Sequence, residues 1–315
     1  MAIHTIKHNP DKTHFEQTLE FLGHDGNPDV TLEEYKEISV RFVDKLVEDN
    51  RLPAKEANIV KKNLMEDVQH DLYTYNTFIR DGKKNYKISK EFSEALADAS
   101  LDVSCKYIPS ENISYNIQFH KDIVLTSMFG TDKEAYRNCY VTIEDCKSEY
   151  DIKKGYLKRV MLVFPIYIDG VDYISTYDYI NLVFKDDKQK VSEAILASAD
   201  QLKDQQLTEE GKGVIKYITN VILYLNSGDP DLRELKKPNI PKVTKNISKF
   251  KKKNKYKSLL DIIEVGFNYM KGINYRVSAT MVRGHFRWQP YGSGMSMVKL
   301  IWIEEHPRNF TKITD

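Results

Sequence analysis

Apolar side chains recur along this chain with a period that changes twice, from helical to alternating and back to helical. Near the N-terminus they follow helical spacing over Tyr35–Leu46, just after a capping box of Thr31 and Glu34, and again beyond Pro53. A shorter helical pattern covers Glu91–Ala99. We therefore expect three helices in the first hundred residues, after a polar opening segment.

The middle of the chain carries short, tyrosine-rich runs with alternating apolar residues, which are typical of strands. The last two runs flank Asp169-Gly170, a dipeptide that favours a tight turn, so they are predicted to pair as an antiparallel hairpin. The predicted strands are Ile113–Phe119, Tyr140–Ile143, Val160–Tyr167 and Tyr173–Phe184.

Helical spacing returns at Val191–Leu202 and again from Thr208, where Glu209 and Glu210 suit the positive end of a helix dipole. The order of helices, sheet and helices differs from the strict strand–helix alternation of a doubly wound fold. We therefore predict an α+β fold, with helices packed on a mainly antiparallel sheet.

A break in composition divides the chain. The segment Lys236–Lys257 contains ten lysines and no acidic residue, which indicates a basic linker or loop. Beyond it, Ser258 is expected to cap a helix carrying Leu259, Ile262, Ile263 and Phe267, followed by strands near Tyr275–Val282 and Met297–Ile303. The predicted units are an α+β body over residues 1–235, a linker over 236–257 and a C-terminal helix-plus-strands module over 258–315.

The overall composition excludes several classes of protein. With 47 basic and 46 acidic residues, any affinity for nucleic acid must come from local clusters of charge. The three cysteines lack metal-ligand spacing, and no apolar run is long enough to span a membrane, so we expect a cytoplasmic protein with no metal, no cofactor and no membrane partner. The glycine loops, serine elbow and paired histidines of common NTPases, hydrolases and zinc proteases are absent from the sequence.

The strongest candidate for a site is the segment Arg283-Gly284-His285-Phe286-Arg287. In a strand, Arg283, His285 and Arg287 would share one face, because successive side chains alternate. Arginine is well matched to phosphate, and nearby aromatic rings can stack on bases. The predicted phosphate- or RNA-binding residues are Lys251, Lys252, Lys253, Lys255, Trp288, Tyr291, Gly292 and Gly294, with Trp302, Glu305 and His306 as secondary candidates.

The same residues allow two other interpretations. One is a metal-independent ribonuclease, in which His285 acts as general acid or base while Arg283 and Arg287 stabilise charge on the phosphate. This enzyme would need a second acid–base group, for which Tyr291, Glu305 and His306 are candidates. The other is an internal brace that ties the tail to the body by hydrogen bonds, as in a structural or maintenance protein without catalytic activity.

The segment from Met281 to Arg287, the later Trp302 and the closing Pro307–Asn309 together resemble the type V-A anti-CRISPR family of phage and plasmid proteins. The apolar run Ile222–Leu225 followed by Asp229–Leu232 is also similar to that family, so the resemblance covers about the second half of the chain. It departs from the pattern at Phe286, where a tryptophan is expected.

The resemblance implies a counter-defence protein that acts in a bacterial host. It implies that the protein lowers production of a target protein by recognising the target's nascent N-terminal peptide. Together with the basic linker and the Arg-His-Arg strand, it predicts a regulatory binding protein that contacts RNA or the ribosome.

Overall fold

A computed structural model of the chain describes residues 12–82, 84–99, 103–109, 112–120, 122–123, 125–126, 134–168, 177–200, 207–227, 230–234, 261–266, 280–282, 284–291, 297–304 and 306–308. The helices of this part are α1 (His14–Phe21), α2 (Leu32–Glu48), α3 (Ala54–Arg80), α4 (Lys90–Asp98), α5 (Glu149–Lys154), α6 (Val191–Asp200) and α7 (Glu209–Leu225). The strands are β1 (Lys84–Ile88), β2 (Ile113–Gln118), β3 (Leu125–Thr126), β4 (Glu134–Tyr136), β5 (Asn138–Asp145), β6 (Lys158–Ile168), β7 (Tyr177–Phe184), β8 (Leu232–Glu234), β9 (Asp261–Val265), β10 (Thr280–Val282), β11 (His285–Tyr291), β12 (Met297–Ile303) and β13 (His306–Arg308).

Nine strands form one mixed sheet. Strand β6 pairs with β7 on one edge and with both β4 and β5 on the other, where only Arg137 separates the two partners. Outward from β5 the order continues as β2, β1, β9 and β8. Strand β1 runs parallel to β2 and β9, and the other pairs are antiparallel. The predicted α+β fold with a mainly antiparallel sheet is therefore confirmed.

Helices cover both faces of this sheet. On one face, α4, α6 and α7 bury the largest core cluster, in which Ile218 and Ile222 of α7 are fully enclosed. On the other face, Phe78 of α3 packs against Tyr140 of β5, with the two rings 5.4 Å apart. Helices α1 and α2 pack on α3 through a separate aromatic cluster that contains Phe15. The body thus has three layers, with the two N-terminal helices attached to the outside of α3.

Several local predictions are confirmed by the backbone. Thr31 caps α2 and forms the expected capping box with Glu34, and Thr208 caps α7. The predicted hairpin is β6 paired antiparallel with β7. The turn at Asp169-Gly170 and the basic segment 236–257 lie outside the described residues, and the division into three units stays a prediction.

The helix expected after Ser258 is wrong over the residues that the structure describes. Asp261–Val265 form strand β9, which pairs with β1 on one side and with β8 on the other. Two adjacent isoleucines satisfy helical and strand patterns equally well, and pairing with two neighbouring strands decides between them. Helix α1 was missed in the polar opening, although Thr13 and Glu16 form a capping box there too.

A ladder of buried asparagines crosses three strands on the face under α3. Asn116 of β2 donates from Nδ2 to Oδ1 of Asn85 at 2.9 Å and accepts a hydrogen bond from Nδ2 of Asn138 at 3.0 Å. All three side chains are buried. Such a chain of amides stabilises the sheet only while each member keeps its partners, because a buried unpaired amide is costly.

Replacing the central amide is therefore expected to destabilise the fold. Asn116→Ala leaves partners on both sides unpaired and should lower the free energy of unfolding by about 2–4 kcal/mol. Urea denaturation measures this change, with the exposed Asn58→Ala on α3 as a control expected to stay within about 0.5 kcal/mol of wild type. Equal losses for the two variants would contradict a structural role for the ladder.

The three thiols are expected to be unreactive in the folded protein. Burial raises the pKa of Cys105 to about 12 and that of the half-buried Cys146 to about 11, while Cys139 is fully enclosed. For Cys146 a pKa of about 11 in place of 9.0 lowers the thiolate fraction near neutral pH about 100-fold. Reaction with a disulfide reagent should be slow at pH 8, should start at Cys146 as the pH rises, and should become fast for all three thiols in denaturant.

Candidate functional site

The predicted site lies on a hairpin formed by β11 and β12. Seven residue pairs join the two strands, from His285 opposite Ile303 to Tyr291 opposite Met297. Residues directly opposite each other in an antiparallel pair lie on the same face of the hairpin. The hairpin therefore has two faces of different composition, one turned toward the body and one toward solvent.

The inner face is held to the body by Trp302. Its indole meets Phe286 at 5.0 Å between ring centroids, Phe92 of α4 at 5.7 Å and Tyr224 of α7 at 6.2 Å, all edge to face. Leu300, on the same face, is buried in the main core. Edge-to-face contacts of this kind add to the apolar burial, so these residues anchor the hairpin on α4 and α7.

Gly284 is required by this packing. A Cβ atom at this position would lie 2.5 Å from Cζ2 and 2.9 Å from Cη2 of Trp302. The indole thus occupies the space that a side chain would need, and the backbone and the ring are in direct contact. The space beside Gly284 is therefore filled by a tryptophan of the same chain and is not open to a ligand.

The outer face carries the polar side chains. His285 is half-buried, Arg287 is exposed, and Tyr291 is 43% exposed, with Nζ of Lys299 5.8 Å from the centre of its ring. None of the eight described side chains on this face is acidic. They are His285, Arg287, Gln289, Tyr291, Met297, Lys299, Ile301 and Ile303. The face therefore combines two cations, a histidine, a glutamine and one open aromatic ring with three apolar side chains.

A family model described as "AcrVA2-like: Anti-CRISPR type V subtype A2 family" matches residues 86–305, which is more than half of the chain. The chain belongs to this AcrVA2-like family. It is thus an anti-CRISPR-type protein of a mobile element, as the resemblance predicts. The match contains the whole sheet from Tyr86 onward and the C-terminal hairpin, and it leaves α1, α2 and α3 outside.

The curated proteins contain no match to this AcrVA2-like protein. Among solved structures it is similar to one titled "Crystal structure of AcrVA2", with 14% sequence identity, a TM-score of 0.48, and coverage of 88% of this chain and 86% of that chain.

The AcrVA2-like hairpin shows the predicted alternation where it is described. His285 and Arg287 share the outer face, whereas Phe286 packs inward against Trp302. Trp302 is therefore placed in the anchor rather than in the proposed binding face. Several predicted residues lie outside the described residues: Arg283, Gly292, Gly294, Glu305 and the lysines Lys251, Lys252, Lys253 and Lys255. Trp288 and His306 are paired with Leu300 and Val282, and their side chains are likewise not described.

The separation along β11 bears on the acid–base pair that a ribonuclease needs. His285 and Tyr291 stand six residues apart at opposite ends of the strand, which is about 20 Å in an extended chain. A general acid and a general base acting on one phosphodiester must both reach it within hydrogen-bond distance. Tyr291 therefore cannot be the partner of His285.

A second polar constellation was missed in the sequence. Arg159 of β6 donates to Oε1 of Glu144 at 3.0 Å and to Oδ1 of Asp151 at 2.6 Å. Tyr73 of α3 donates to the other oxygen of Glu144, and Ser148 donates to Asp151. Arg159 pairs with both carboxylates, and the neutral Tyr73 and Ser148 donate to them, so the network joins α3 and α5 to the sheet and we assign it a structural role. Its members belong to or flank four different elements, α3, β5, α5 and β6, and no sequence pattern shows that these elements meet.

No other constellation in the described part suggests a metal or a membrane. The described residues contain no group of three or more His, Cys, Asp or Glu side chains that could hold a metal ion. Among the described helices, none combines the length and apolar character needed to cross a membrane. The outer face of the hairpin therefore remains the candidate site predicted by the sequence.

The contact between Gly284 and Trp302 gives a direct test of the anchor. Gly284→Ala places a methyl group inside the indole and is expected to destabilise the protein by about 1–3 kcal/mol. The control is Gly213→Ala on α7, where a Cβ meets nothing within 4 Å and should stabilise the helix by about 0.5–1 kcal/mol. Urea denaturation followed by tryptophan fluorescence measures both, and an unchanged Gly284→Ala would contradict the close packing.

Proposed function

We propose that this AcrVA2-like protein lowers production of a target protein by recognising the target's nascent N-terminal peptide while the outer face of its hairpin contacts RNA or the ribosome. Membership of an anti-CRISPR family supports the target being a defence protein of the host. In this proposal the protein acts in the cytoplasm of a bacterial host, where translation takes place. Residues 258–315 would supply the nucleic-acid contact and the body would supply the peptide contact.

The observation that carries the RNA contact is the composition of the outer face. The exposed Arg287 presents a guanidinium group, which fits a phosphate through paired hydrogen bonds. Lys299 adds a second cation across the hairpin, and the half-exposed ring of Tyr291 offers a surface for a base. None of the eight described side chains of this face is a carboxylate, which favours contact with phosphate.

Binding is favoured over catalysis by the geometry around His285. The half-buried histidine lies on the same face as Arg287, two residues along the strand, which suits a contact with phosphate. Cleavage of RNA requires a second acid–base group, and the distance between Tyr291 and His285 along β11 removes one of the three proposed candidates. His285→Ala distinguishes the functions, because cleavage by pure protein should be lost if His285 is catalytic, whereas a binder shows no cleavage in either form.

The RNA contact can be tested in cells by ultraviolet crosslinking, purification and sequencing of bound RNA. Arg287→Ala/Lys299→Ala removes both cations of the outer face and is expected to reduce the amount of crosslinked RNA about ten-fold or more. Each lost phosphate contact lowers the affinity for RNA and makes that affinity less dependent on salt concentration. Both side chains face away from the core, so thermal stability should be unchanged. Sedimentation with ribosomes is measured on the same samples.

The matched control is Lys55→Ala/Lys62→Ala, which removes two exposed lysines from α3 and changes the net charge by the same amount. Crosslinking should stay at the wild-type level in this variant. Equal RNA recovery from the hairpin variant and the wild type would remove the hairpin from the proposal. A reporter that carries the N-terminal segment of a type V-A effector nuclease tests the peptide contact separately, through its steady-state level with and without this protein.

A further inference from the structure

We propose that a groove between α1 and α2 docks a polypeptide segment of a partner, one that carries apolar side chains among acidic residues. The groove is a cavity of about 420 Å³, within the range of known ligand sites. Its walls are the end of α1 with the turn that follows, one side of α2, and Arg51 beyond the end of α2. We refer to it as the α1–α2 groove.

One continuous side of α2 forms the length of the groove. Ile38, Phe42, Lys45 and Asp49 line it at intervals of three or four residues, which places them on one side of a helix. At 1.5 Å per residue this side is about 16 Å long. A groove of this length accepts several residues of a bound segment.

The floor of the groove is apolar. The rings of Phe21 and Phe42 lie 5.3 Å apart at an angle of 48°, and both are only half-buried. Leu46 is also half-buried, whereas Leu22 and Ile38 beneath them are buried in the cluster shared with α3. When another apolar side chain covers half-buried aromatic and aliphatic groups in a concave surface, apolar area is removed from water, and this favours binding.

The rim of the groove is predominantly cationic. Arg41 and Lys45 are exposed on successive turns of α2 and present two cations, while Arg51 at the end of the groove already takes part in an interaction of its own. The two acidic residues of the lining are Glu20 and Asp49, and Glu20 already forms an ion pair with Lys12. A segment with carboxylates beside its apolar side chains therefore complements both the floor and the rim.

The same features favour a polypeptide over single-stranded RNA. Bases bind through flat contact with open aromatic faces. Here the two rings are tilted against each other and the rest of the floor is aliphatic, as in Leu22, Ile38 and Leu46. Aliphatic side chains of a peptide fit such a floor, and acidic side chains at the rim reach Arg41 and Lys45.

This inference is independent of the RNA contact in the proposed function, and it goes beyond the peptide contact by naming a groove and the chemistry of the segment that it takes. The groove is built from residues 20–51, whereas the RNA face is built from β11 and β12. Residues 20–51 also lie outside the range 86–305 that the family model matches. Docking to the groove can therefore be measured with neither RNA nor a ribosome present.

The experiment selects peptides of about twelve residues from a random display library on the full-length protein. Parallel selection uses Arg41→Gln/Lys45→Gln, in which both rim cations are neutralised, and Lys55→Gln/Lys62→Gln as the matched control. Peptides enriched on wild type and control, and not on the rim variant, are expected to combine acidic with leucine, isoleucine or phenylalanine residues. The best peptide is then synthesised and its affinity is measured by fluorescence anisotropy.

Loss of the two rim cations is expected to weaken the affinity for that peptide about five- to ten-fold, since each exposed charge pair contributes modestly to binding. Serine in place of the peptide's apolar residues should abolish binding, which tests the floor without altering the protein. A photoreactive group at the apolar position should crosslink to residues 21–46, as read by mass spectrometry.

Three outcomes would overturn the inference. The first is the absence of any peptide whose enrichment depends on Arg41 and Lys45. The second is enrichment of peptides that lack acidic or apolar residues. The third is that an oligouridine competes with the peptide and loses affinity for the rim variant, which would assign the groove to RNA. None of these results affects the crosslinking test of the hairpin, so the two proposals fail independently.

Discussion

Two rings and two glycines fix the position of the late strands on the body. Phe92 of α4 and Trp302 of β12 meet edge to face, and each is backed by a glycine, since a Cβ on Gly266 would lie 2.5 Å from Cδ1 of Phe92. Gly266 also has a φ of +67°, which favours glycine by itself. Strand β9 thus ends against the ring that also receives the hairpin. Because α4 packs on α7, both late segments are anchored to one pair of helices. The outer face of the hairpin depends on this anchor for its orientation.

The sequence predicted the elements whose signals are local. Thr31 and Glu34 located the start of α2, and alternation along β11 placed His285 and Arg287 on one face. Sequence prediction failed at Asp261–Val265, where tertiary pairing decides the structure. The two adjacent isoleucines of this segment fit a helix, but pairing with β1 and β8 makes it a strand. Sequence prediction also could not show that Trp302 fills the space beside Gly284, because no pattern in one sequence reveals which ring meets which backbone. The α1–α2 groove was missed because α1 itself was not predicted.

The polar layer beneath α3 explains how the N-terminal helices are held in place. A one-residue slip between β1 and β2 would separate Asn85 from Asn116 and leave buried amides without partners. The hydrogen bonds therefore specify the register of the strands on which α3 rests. Tyr73 then ties α3 to Glu144 of β5, and Phe78 packs on Tyr140. Since α1 and α2 contact α3, the shape of the α1–α2 groove depends on a layer that the groove does not touch.

Alternation along the hairpin places the residues that stabilise the fold on one face and the residues of the candidate site on the other. On β12, Leu300 and Trp302 face the core, whereas Lys299 and Ile301 face outward. On β11 the same rule divides Phe286 from His285 and Arg287. Folding alone would require the inner residues and Gly284, and it would not restrict which residues occupy the outer positions. The two cations of the described outer face, Arg287 and Lys299, are therefore not required by the fold, and they are the side chains that the proposed phosphate contact would use.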